Sequence, residues 1–74
     1  MIKADFGSII ATKRKECKLS QPQLAALMCK KGLNVKAHSI SKWEKNVNLP
    51  NVLQFFALCE ILKISDINQT FQVG

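Results

Sequence analysis

Ala37-His38-Ser39-Ile40-Ser41-Lys42-Trp43-Glu44-Lys45 contains only two large apolar residues, Ile40 and Trp43, spaced three apart. That spacing puts both on one side of a helix, and the remaining positions are small, polar or basic. The stretch therefore reads as a short helix, about Ala37 to Lys45, anchored along a narrow stripe and open to water elsewhere. Trp43 belongs to the buried stripe with Ile40 and is not an exposed stacking surface.

Working outward, Ser20 supplies an N-cap for a preceding helix, with Pro22 in its first turn and Gln23 at the third position of a capping box. Leu24, Leu27 and Met28 give that helix its apolar face, and Gly32 can end it in a left-handed conformation. Upstream, Asp5 can cap a first helix whose Phe6, Ile9, Ile10 and Cys17 recur at helical spacing, with Lys13, Arg14 and Lys15 near its C-terminal end. Downstream, Asn51 can cap a fourth helix, Val52 to Lys63, which is apolar nearly all round. Such a helix is central to a core or partly covered by another chain. Ser65 or Asp66 would cap a last short turn holding Ile67 and Phe71. The reading is all-α: a compact bundle of five short helices in a single domain spanning residues 1–74.

Composition agrees. Tyrosine is absent and Gly plus Pro number five, too few turn and β-forming residues for an all-β domain. The 47% apolar content supports a core, although a chain of 74 residues buries a modest fraction of its surface. The net charge of +6 favours a polyanionic partner, with plain solubility as the competing explanation. Cys17, Cys29 and Cys59 are an odd number without paired spacing, which suits reduced thiols in the cytoplasm better than a disulfide framework or a zinc site. No apolar run approaches a signal-peptide core or a transmembrane span. The lysines are spread over several segments, which argues against a membrane-surface helix. Paired carboxylates, a phosphate-cradling glycine loop and a metal cluster are lacking, so the reading is not an enzyme and implies no cofactor, metal or small-molecule ligand.

Two short helices joined by a turn, the second pinned by two residues, form an arrangement in which the second can lie in the DNA major groove. Ser20-Gln21-x-x-Leu24-Ala25, then Ile40-Ser41-Lys42-Trp43-Glu44, then Leu49-Pro50 and a leucine-rich helix resemble the Cro/C1-type (XRE-family) helix-turn-helix of phage and bacterial repressors. Phe6-Gly7, Arg14 and Leu19 fit the same pattern. The likeness runs from about Phe6 to Phe71. One departure stands out: the turn spanning residues 28–36 is about five residues longer than the family's usual one, as in a subset of such repressors. The added Lys30 and Lys31 either extend a phosphate-binding face or solvate the longer turn.

The resemblance implies a lambda repressor-like fold with helices two and three as the helix-turn-helix. It implies that Gln21 donates to a phosphate and that Ala37, His38, Ser41 and Lys42 face the major groove; the longer turn leaves open which of Lys36, Ala37 and His38 points at the bases. Lys45 and Asn46 would hold flanking phosphates, and Arg14 and Glu44 would pair inside the protein. Each has a plainer competitor: Gln21 as a polar first-turn residue, His38 as a solvated histidine, Lys42 and Lys45 as surface charges. The implied function is sequence-specific double-stranded DNA binding by a repressor, as a homodimer on a pseudo-palindrome. Phe56, Ile61, Ile67 and Phe71, or a further C-terminal domain, would supply the dimer contact. The alternative is a protein-interaction module, antitoxin-like or scaffold, using the fourth helix. A complete small regulator and the N-terminal part of a longer repressor both fit the sequence.

Overall fold

The computed structural model describes residues 5–65, which form four helices: α1 (Phe6–Glu16), α2 (Gln21–Lys30), α3 (Ala37–Glu44) and α4 (Val52–Ile61). Three start on side-chain caps. Asp5 accepts from the Gly7 N–H, while Ser20 with Gln23 and Asn51 with Gln54 each form a reciprocal capping box. Helix α3 differs, because its N-cap is Lys36 and no side chain bonds there.

All four helices end the same way. Lys18, Gly32, Asn46 and Lys63 sit in the left-handed region at φ 59°, 87°, 61° and 60°. After each, the next residue's N–H turns back onto the helix: Leu19 to Arg14, Leu33 to Met28, Val47 to Lys42 and Ile64 to Cys59. These are Schellman ends, which satisfy carbonyls the last turn would otherwise leave unpaired. Only Gly32 adopts this conformation without steric cost; two of the other three positions are lysines.

The described residues form four helices, which corrects the expected count of five. Lys63 in the left-handed region and the Ile64 N–H folded back on Cys59 stop α4 at Ile61, two residues short of the expected boundary. The expected last turn, with Asp66, Ile67 and Phe71, lies outside the described residues. Helix α3 likewise ends one residue early, leaving Lys45 as its C-cap.

Ile10, Leu24, Met28, Ile40 and Leu58 are fully buried, and Trp43 is 3% exposed beside them. Each comes from the apolar stripe of its helix, so all four helices feed one core. The long α2–α3 turn is anchored there too: Val35 is buried, Leu33 packs on the core, and Cys29 Sγ lies 3.3 Å from the Val35 carbonyl. Cys59 fills the core as a small apolar residue, and burial pushes its thiol pKa up. Helix α4 is only half absorbed. Ala57, Leu58 and Cys59 are buried, while Val52, Leu53 and Phe56 stay well exposed.

Candidate nucleic-acid interface

Helix α3 packs against both α1 and α2, with Ile40 and Trp43 turned inward. Helical geometry then turns 38, 42 and 45 toward the opposite side and leaves 37 and 41 at its margin. His38, Lys42 and Lys45 are exposed, as is Lys36 at the helix start, while Ala37 and Ser41 are half-buried along the margin. The result is a surface about 12 Å long with small residues near the backbone and cations at both ends. Lys36 is unfavourable for the helix itself, because its charge opposes the N-terminal dipole. An anion placed there would reverse that penalty.

The inner side of α3 is held by an ion pair. Arg14 Nε donates to Glu44 Oε2 at 2.7 Å, and Arg14 Nη2 to Glu44 Oε1 at 3.2 Å, a two-point clamp between α1 and the end of α3. Their side chains are 11% and 9% exposed. Arg14 Nη1 also donates to the Leu19 carbonyl at 2.8 Å, tying down the α1–α2 link. Burial pushes the Glu44 carboxyl pKa up, but hydrogen bonds from Arg14 and Gln21 and the charges of Arg14 and Lys15 outweigh it, so the net shift is downward. Arg14 is raised in turn, chiefly through its hydrogen bond to Glu44. Both groups are therefore charged at neutral pH.

Two residues expected on the DNA side have partners within the protein. Gln21 Nε2 donates to Glu44 Oε1 at 3.0 Å, which extends the clamp to α2. Asn46 Oδ1 accepts from the Gly7 N–H at 3.0 Å, and its Nδ2 donates to Asp5. Asn46 thus caps α1 from the far side of the fold as it ends α3. Its left-handed backbone suits asparagine, but the long-range contact to Gly7 left no trace in local sequence. The approach there is close: a Cβ on Gly7 would lie 2.2 Å from the Glu44 carbonyl oxygen and 2.8 Å from that of Trp43. Only glycine lets α1 touch the end of α3 this way. Of the extra lysines in the turn, Lys31 is bound to Glu60 of α4 and Lys30 is exposed.

Among the described residues, no group of three or more His, Cys, Asp or Glu is placed to hold a metal ion. No described helix is long and apolar enough to cross a membrane.

Two consecutive helices, the second clamped from behind and presenting a cationic outer face, define a helix-turn-helix. The chain belongs to the Cro/C1-type (XRE) helix-turn-helix family, whose model matches residues 10–66. It is accordingly a DNA-binding regulator of that type, in a regulatory family whose members are typically non-enzymatic. No curated protein and no solved structure matches the chain.

Proposed function

We propose that this chain is a cytoplasmic transcriptional repressor that binds a pseudo-palindromic double-stranded site as a homodimer, with α3 in the major groove. The observation that carries this reading is the outer face of α3, where His38, Lys42 and Lys45 are exposed while Ile40 and Trp43 are buried. Lys42 donates to guanine O6 and N7, Ala37 meets a thymine methyl, and His38 and Ser41 complete the base contacts. Lys36 and Lys45 neutralise phosphates at the two ends of the helix. Gln21 keeps one amide N–H for a phosphate after binding Glu44, and Asn46 positions Lys45 by closing the turn beside it.

One short helix reaches few bases, so useful specificity calls for two copies on half-sites about one helical turn apart. Selection of bound sequences from random duplex DNA, with the molar mass of the complex, tests the proposal. A pseudo-palindromic consensus bound by two chains supports it; no enrichment at low salt refutes it.

The exposed Leu53 and Phe56 on α4 favour a second reading, a protein-interaction module. A tight protein partner retained by a chain without affinity for DNA would select that reading.

A further inference from the structure

The lengthened α2–α3 turn lies beside α4, and together they form an open groove of about 680 Å³ lined by Lys31, Leu33, Leu53, Phe56, Ala57 and Glu60. Its walls are apolar: Leu53 and Phe56 are 67% and 57% exposed and stand side by side in the groove, the kind of surface that partners cover. Among the described residues its only charges are Lys31 and Glu60, which pair with each other across the rim.

We propose that the occupant of this groove is a second copy of this chain, docked about a twofold axis so that Lys31 and Glu60 exchange partners between copies. The proposal rests on the dimeric reading above and gives it a surface. Two observations select a copy of this chain. The chain carries +6, so most approaches between copies are repulsive. Helix α4 is the exception, because Glu60 is its single charged residue and is negative. A twofold interface makes each contact occur twice, so a Lys31–Glu60 rim is complementary to itself. Exchange costs little, since the intrachain pair is largely solvated, with Glu60 70% exposed and Lys31 35%. The gain comes from covering Leu33, Leu53 and Phe56, while the exchanged pairs fix the register. On this account the extra turn residues supply one wall of the dimer groove and its cation.

The test uses the full chain without DNA, by sedimentation equilibrium up to about 1 mM, a range that detects even weak dimers. The wild type self-associates. Glu60→Lys and Lys31→Glu each weaken the dimer about tenfold or more through two like-charge contacts. An equimolar mixture of the two variants associates about as tightly as the wild type, because each mixed contact again pairs Lys with Glu. Phe56→Ser, checked for an unchanged circular dichroism spectrum, removes the dimer. A monomeric wild type, single variants that associate like the wild type, or a mixture without rescue would each overturn the proposal. Duplex binding at low salt is measured in parallel. Its loss in a wild type that still dimerises refutes the DNA reading alone, and its presence in a strictly monomeric chain refutes this one.

Discussion

Replacing Arg14 by Met removes the guanidinium clamp and leaves Glu44 charged in a site where its side chain is 9% exposed. Two hydrogen bonds to the carboxylate disappear, at 2.7 and 3.2 Å, and only the Gln21 amide remains. The Leu19 carbonyl loses its donor as well. Breaking a buried ion pair from one side costs about 3–5 kcal/mol, and the slight exposure here places the loss near the lower end, about 3 kcal/mol. A chain of this length has a total stability of roughly 4–11 kcal/mol. The loss is therefore a large share, equivalent to a fall in Tm of about 12–24 °C at the 4–8 °C per kcal/mol usual for domains of this size. Thermal denaturation of Arg14→Met, Glu44→Leu and the double variant measures it. The double variant leaves no charge uncompensated, so it should be more stable than additivity predicts by about 2 kcal/mol. A single-variant Tm within about 4 °C of wild type, or strict additivity, would refute the assignment of the pair as a buried clamp.

Because the Glu44 carboxyl is held below its ordinary range, its contribution is complete at pH 7 and is lost as pH falls through the folded-state pKa, from about pH 5 downward. The Tm gap between wild type and Glu44→Gln should therefore narrow between pH 7 and pH 3; a constant gap contradicts the shift. Gly7→Ala drives a methyl into the Glu44 and Trp43 carbonyls and should cost about 3 kcal/mol in urea denaturation, whereas a neutral result would show that α1 and α3 do not touch. Lys63→Gly relieves a left-handed lysine and should stabilise by about 0.5–1 kcal/mol; destabilisation would deny the Schellman end. Lys45→Ala should lower the slope of log affinity against log salt by about one, and Lys42→Ala should relax one base pair per half-site at a cost of about 1–3 kcal/mol. An unchanged slope and consensus would remove both lysines from the interface.

Much of the fold was legible because its signals are local. Asp5, Ser20 and Asn51 are caps readable within three residues, and Ile40 with Trp43 fixes the inward side of α3 by spacing alone. The ends of the helices were harder to read. Gly32 announces a left-handed residue, but Lys18 and Lys63 adopt the same conformation against their preference, held by backbone bonds that close around them. The overlong fourth helix came from that blind spot, since Lys63 gives no local sign that it ends the helix. At the site, the outer face of α3 followed from periodicity, whereas the engagement of Gln21 with Glu44 and of Asn46 with Gly7 depends on contacts 23 and 39 residues apart. Val35 was also silent: a lone valine in a polar turn gives no sign that it is buried.

The most direct test of the central claim, that the exposed side of α3 meets the duplex, is a map of backbone amide shifts on titrating the chain with a selected duplex. The largest changes should fall on Lys36 to Lys42 and around Lys45, with the amides of α4 largely undisturbed. Changes concentrated on the outer face of α4, with α3 silent, would contradict it.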